Sequence, residues 1–388
     1  MYQHWVMREV PADFEQADSR CWSAALALVF NAGKQRATAD MHQDRFAALS
    51  QDAQVDSLQQ LARVALARWR LETAPLALLK YRENAVFKVT DPASGERFAL
   101  RVHRARYHSD AELRSELQWT AALIAAGIEA PAAVPTATGE SFVIVGHEAV
   151  PEPRQCDLLR WVEGTIIGSV EGDHIASADE VRTSHFHAGR LAALIHNHGE
   201  HWPRPPGFTR LSMDFDGLIG SRGYLGPYGA CKLLSPGQVA VLDQARDAIR
   251  FALDNFGQSP DRYGLTHGDF LPENLLRDGD TVRIIDFDDC GFGWHVMDIA
   301  TSLLFLLGEP QYDDAFAGFV GGYRTARALP DEHLEMLPVF LLARAMTYVG
   351  WVGSRPEAAI AQERGPLIVG ATLALAEEFL RQTRQVRP

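Results

Sequence analysis

The stretch that most constrains this chain is Leu265-Thr-His-Gly-Asp-Phe-Leu-Pro-Glu-Asn-Leu-Leu, followed beyond Asp278-Gly279 by Val282-Arg-Ile-Ile-Asp-Phe-Asp-Asp. Asp269 stands after a tight His-Gly turn that ends a short apolar strand, and Asn274 opens the next run. Asp-Gly between two apolar runs is a strong hairpin signal. Centring the hairpin near Gly279 places Asn274 opposite Ile284, with Asp286 two residues further along the second arm. At roughly 3.3 Å per residue, the amide and the carboxylate converge on one ion. Both are hard oxygen donors, which suits Mg²⁺ held jointly with phosphate oxygens. Asp269 is then placed to accept a proton from a hydroxyl nucleophile.

The surrounding pattern divides the chain in two. Leu58, Leu61, Val64, Ala65 and Trp69 recur at helical spacing. Strand-like runs follow at Leu76–Leu79, Ala85–Thr90 and Arg97–Val102. Ser109 and Glu112 form a capping box that opens a helix over 109–126, with Gly127 as its stop. Ser141–Val145 and Asp157–Val162 read as two more strands, so 74–162 is β-β-β-α-β-β. Beyond 165 the periodicity is helical over 179–198, 236–256, 296–308, 312–328, 331–352 and 364–385. This predicts an α+β chain: an extension over 1–55, a small sheet lobe with one main helix over 56–161, and a larger helical lobe over 162–388. Regular structure is expected to begin near Ser57, and residues 1–54 hold no chemical motif. Gly33-Lys34 is no phosphate loop, because Leu28 stands where the first glycine is needed.

Composition narrows the partners. With 50 acidic against 37 basic residues the net charge is −13, which repels polyanions and argues against a nucleic-acid or membrane-surface binder. The early apolar run Ala24–Phe30 is too short to span a bilayer. Cys21, Cys156, Cys231 and Cys290 form no C-x-x-C pair, so a disulfide framework loses support and a reducing, cytoplasmic location is expected. The histidines at 185, 187, 196, 198 and 201 lack H-E-x-x-H and read as surface residues toward a helix end. Gly217–Gly226 reads as a flexible loop, and Gly291-Phe-Gly293 as the loop after the metal strand.

A base, two oxygen ligands and a nearby cation are the parts of kinase phosphoryl transfer, in which the protein mainly positions groups and neutralises charge. His267-Gly-Asp269-x-x-x-x-Asn274 with Ile285-Asp286-Phe287-Asp288 resembles the signature of the aminoglycoside phosphotransferase/choline kinase family. The resemblance runs from about Leu58 to Trp351. Tyr81-x-Glu83-Asn84 and Leu342-Ala-Arg-Ala-Met-x-Tyr look most like its bacterial stress-response kinase and type II homoserine kinase branch. It implies a two-lobed protein-kinase-like fold and an ATP- and Mg²⁺-dependent enzyme. The acceptor it implies is a small-molecule hydroxyl: aminoglycoside-like, amino-alcohol or amino acid. A protein Ser/Thr kinase of the stress-response type is the alternative, and a nucleotide-binding pseudokinase a weaker one.

Carried onto this sequence, the resemblance makes Asp269 the catalytic base and Asn274 and Asp286 the metal ligands. Arg101 becomes the phosphate-holding cation, an Arg where the wider family most often has Lys. Its helix partner falls on Glu112 or Glu116, and the capping role of Glu112 favours Glu116. Backbone near Arg160 and Val162 is offered to adenine. The Arg82-Glu83-Asn84 turn covers the phosphates in place of a Gly-rich loop. Asp298 braces the catalytic loop, and Asp288 and Asp289 are further acids near the site.

Overall fold

The computed structural model describes residue 46 and residues 48–168 and 177–385. Most of the N-terminal extension therefore lies outside the described residues, as does Cys21. Helix α1 spans Gln51–Leu66, and the Ser50 side chain caps it by accepting from the Ala53 N–H. It begins ahead of the expected start near Ser57, because its first turn is polar and carries no apolar period. Strands β1 (Leu76–Tyr81), β2 (Ala85–Thr90) and β3 (Arg97–Val102) follow, then α2 (Asp110–Ala125), β4 (Val143–Val145) and β5 (Arg154–Arg160). The sheet order is β1-β2-β3-β5-β4, with every pair antiparallel. Strand β2 alternates buried and half-buried residues, so one face meets the core beneath α1. Phe87, Val89, Leu100 and Leu158 pack there with Leu61 and Leu66.

The Ser109–Glu112 box is formed in full and opens α2. This leaves Glu116, one turn on, free to face the sheet.

A short strand β6 (Thr165–Ile166) leads into the helical lobe and pairs with β9 (Leu275–Asp278). Helix α3 (Ala178–His201), strand β7 (Leu211–Met213), helix α4 (Pro236–Phe256) and strand β8 (Tyr263–Thr266) precede β9; β10 is Thr281–Ile284 and β11 is Gly291–Trp294. Helices α5 (His295–Leu303), α6 (Tyr312–Arg324), α7 (Leu337–Ser354) and α8 (Ala359–Gln385) complete the lobe. Pro338 stands in the first turn of α7, where a missing N–H costs nothing; the run expected over 331–352 therefore breaks ahead of Leu337. Gly291–Trp294 is a strand rather than the loop expected, pairing with both β7 and β8.

The Gly217–Gly226 run is packed rather than flexible. A Cβ on Gly350 of α7 would stand 2.0 Å from the Gly226 carbonyl oxygen, so only glycine permits this approach. By length and composition Asp331–Ser354 could cross a membrane, but 72% of its most apolar window is buried within the protein. Its apolar part is α7, which is packed into the core of the lobe.

Candidate active site

The β9–β10 hairpin turns on Gly279-Asp280, with Asp278 opposite Thr281 and Leu275 opposite Ile284. The register is one residue away from the expected one. The turn centres between Gly279 and Asp280, so Asn274 faces Ile285, whose N–H donates to the Asn274 carbonyl at 2.9 Å. Asp286 is the next residue and adopts φ +67°. A non-glycine residue in this region is uncommon and strained, and such residues cluster at functional sites.

Asp269 is held from both sides. Asn274 Nδ2 donates to Asp269 Oδ2 at 2.9 Å. Arg344 Nη2 donates to Asp269 Oδ1 at 2.5 Å. Arg344 lies on α7, almost wholly buried, and also donates to the hydroxyls of Tyr224 and Tyr348. The backbone beneath is fixed by Asp298, which accepts from the N–H groups of His267 (3.1 Å) and Gly268 (3.0 Å). His196 Nε2 lies 3.0 Å from Asp298 and its Nδ1 lies 2.8 Å from the Tyr323 hydroxyl. His196 is thus a buried core residue rather than a surface histidine, and His185 is buried as well. Gly268 has φ +80°, and a Cβ there would sit 2.4 Å from the Asp289 carbonyl oxygen.

In the sheet lobe, Arg101 and Asp157 stand opposite each other on β3 and β5. Arg101 donates to Asp157 through Nε at 2.9 Å and Nη2 at 2.6 Å, and Nη2 lies 2.8 Å from Glu116 Oε1. Asp157 had no sequence signal beyond its place in a strand, yet it is wholly buried. Burial opposes its ionisation, but Arg101 and His103 bring its carboxyl down to about 2. His103 lies between Asp157 (3.2 Å) and Asp288 (3.4 Å). Burial disfavours its charge, and the two carboxylates overcome this and raise it to about 9.

The lobes are tied across this network. Buried Arg210 donates to the carbonyls of Cys290 (2.7 Å), Glu112 (2.9 Å) and Asp288, linking α2 to the segment after Asp286. Tyr107 donates to Asp289 at 2.6 Å. Trp351 Nε1, at the end of α7, donates to Glu83 of the β1–β2 turn at 2.6 Å.

Between the lobes lies a cleft of about 1100 Å³, whose lining includes Arg101, Val162, Asn274 and Asp286. Arg160 lines it too, but its N–H donates to Ala132 and that of Trp161 to Arg97. The Val162 N–H has no acceptor among the described residues. Asn84 does not line the cleft; its side chain accepts from the Arg104 N–H at 3.1 Å and shapes the turn from behind.

The donor set fits a hard divalent cation. Asn274 directs its nitrogen to Asp269, which leaves its oxygen as a ligand atom. Burial and the nearby Asp288 raise the Asp286 carboxyl to about 6, with Asp269 adding to this. A partly buried carboxylate among like charges is the environment that a cation relieves.

The chain matches the model of the phosphotransferase enzyme family over residues 75–333. It is 27% identical over 304 residues to amicoumacin kinase of Bacillus subtilis (strain 168), covering 75% of this chain and 84% of that protein. The solved structure of a microcompartment-associated aminopropanol kinase superposes with a TM-score of 0.73 at 33% identity, covering 83% of this chain and 98% of the other. An amicoumacin kinase solved with AMP-PNP, Ca²⁺ and Ami shares the fold, with a TM-score of 0.61 at 21% identity over 77% of this chain and 88% of that one. With the two-lobed fold, the interlobe cleft and these matches together, the chain belongs to the phosphotransferase enzyme family and is a kinase-fold phosphotransferase.

Proposed function

We propose that this protein transfers the γ-phosphoryl group of ATP to a hydroxyl of a small molecule, with an amino alcohol as the leading acceptor class. The observation that carries the reading is the Asp269 carboxylate, held between Arg344 and Asn274, with Asn274 and Asp286 both lining the cleft. The likeness to an aminopropanol kinase at 33% identity supports the acceptor class.

In this reading the acceptor hydroxyl donates to Asp269. Its oxygen attacks the γ-phosphorus, the bond from that phosphorus to the β-γ bridging oxygen breaks, and the hydroxyl proton passes to Asp269. ADP and a phosphate monoester leave. Such transfer needs little covalent help, so the gain comes from alignment and charge. Asn274 and Asp286 would hold Mg²⁺, which would supply positive charge against the phosphates. Arg101, oriented by Glu116 and Asp157, presents its remaining nitrogen, Nη1, toward the α/β-phosphates. The Val162 N–H would meet the adenine edge. The buried, free thiols of Cys156, Cys231 and Cys290 fit a reducing compartment such as the cytoplasm.

Release of ADP by the purified protein should be stimulated by one member of a panel of amino alcohols, hydroxy amino acids and aminoglycosides, and abolished by EDTA. Stimulation by protein substrates alone would overturn the small-molecule reading. Activity indifferent to EDTA would overturn the metal assignment.

A further inference from the structure

Arg101 alone cannot supply the charge that a triphosphate needs. Two buried carboxylates, Asp157 and Glu116, already contact its guanidinium. The β1–β2 turn carries no glycine-rich sequence whose bare backbone N–H groups could cradle phosphate; it reads Arg82-Glu83-Asn84. Beyond Arg101 at the α/β-phosphates, a further cation is needed at the terminal phosphates.

Two side chains stand where that cation is required. Lys80, near the end of β1, and Arg82, in the turn, both line the cleft. Lys80 Nζ lies 2.9 Å and Arg82 Nη1 2.8 Å from one oxygen, Glu273 Oε1. Glu273 immediately precedes the proposed metal ligand Asn274, in the short turn Pro272–Asn274. Its carboxylate side chain is nine-tenths buried, while the Lys80 side chain, which lines the cleft, is 39% exposed. Two cations from the sheet lobe thus converge on one fixed anion beside the metal position. A terminal phosphate would present the same geometry to them: a compact group of acceptor oxygens, charged more strongly than a carboxylate.

We propose that Lys80 and Arg82 grip the β- and γ-phosphates of a nucleoside triphosphate, and that Glu273 is the anion on which they rest before the nucleotide arrives. This rests on the reading of the cleft as an ATP site. The pair does with side chains what a glycine-rich loop does with backbone. It discriminates by phosphate count, because AMP ends short of the pair. Glu273 competes with the triphosphate for the same two cations.

The full-length protein would be titrated with AMP-PNP and, separately, with AMP, by calorimetry in Mg²⁺. The Lys80→Met/Arg82→Gln double variant should bind AMP-PNP on the order of ten- to a hundred-fold more weakly than the wild type, since hydrogen bonds to charged groups are at stake. Its AMP affinity should be unchanged, which also reports an intact adenine site. Glu273→Gln should bind AMP-PNP several-fold more tightly. Wild-type AMP-PNP affinity in the double variant would overturn the inference and leave the ATP reading standing. Equal losses for AMP and AMP-PNP would overturn it as well, by assigning the pair a structural role. If the wild type binds neither nucleotide, the reading of the cleft itself fails.

Discussion

Asp269→Asn is expected to lower kcat by several orders of magnitude while nucleotide binding persists. General base catalysis alone contributes about 10²–10⁴-fold, and the geometry here adds a second penalty. Asp269 Oδ1 accepts from Arg344 and Oδ2 from Asn274 Nδ2. A carboxamide at 269 can keep one of these bonds, with its oxygen toward Arg344. Its nitrogen then faces the Asn274 nitrogen, donor against donor. Asn274 relieves this only by flipping its amide, which carries its oxygen away from the proposed metal position. Proton acceptance is lost and the Asn274 amide is disturbed in one substitution that barely alters volume, while Asp286 remains in the cleft to hold the cation and its nucleotide. Steady-state kinetics with separate nucleotide binding would check it. A variant with near-normal kcat would show that the base is elsewhere.

The second large effect is on stability. Arg101→Met should destabilise the fold by about 3–5 kcal/mol, the usual cost of removing one partner from a buried ion pair. Asp157 and Glu116 have side chains 0% and 2% exposed, so neither carboxylate can recover its lost partner from water. His103, 3.2 Å from Asp157, compensates in part. Arg101→Lys keeps the charge but cannot reproduce the two-bond fork to Asp157, and should fall between. Denaturant midpoints would decide. An unchanged midpoint in Arg101→Met would mean that the network holds without its central cation. Any rise in the KM for ATP should be measured in Arg101→Lys, where the fold is better preserved.

The parts of this site that could be read from sequence are those fixed by local chemistry. The Ser109–Glu112 box specifies where α2 starts, and that start places Glu116 against Arg101. The Asp-Gly turn specifies a hairpin, and with it the neighbourhood of Asn274 and Asp286; its register was one residue off because the turn could centre on Gly279 or beside it. What escaped depends on distant chain segments. Arg344 sits in a helix that is apolar on all sides, where a single arginine carries no sign that it will meet Asp269. Asp157 becomes the partner of Arg101 only through the pairing of β5 with β3. Glu273 meets Lys80 across a sequence separation of 193 residues. His196 looked like one of a row of surface histidines until α3 and α6 packed and enclosed it with Tyr323. Strand β11 is short and glycine-bearing, and its pairing with β7 and β8 is likewise set at long range.

Phosphorus NMR of the reaction of this protein with ATP, Mg²⁺ and 1-amino-2-propanol tests the central claim most directly. The account predicts a new phosphate monoester resonance that grows in step with ADP, is absent without the amino alcohol and is absent with Asp269→Asn. Inorganic phosphate as the sole product across the whole panel of small hydroxyl acceptors, or a monoester formed equally well by Asp269→Asn, would contradict it.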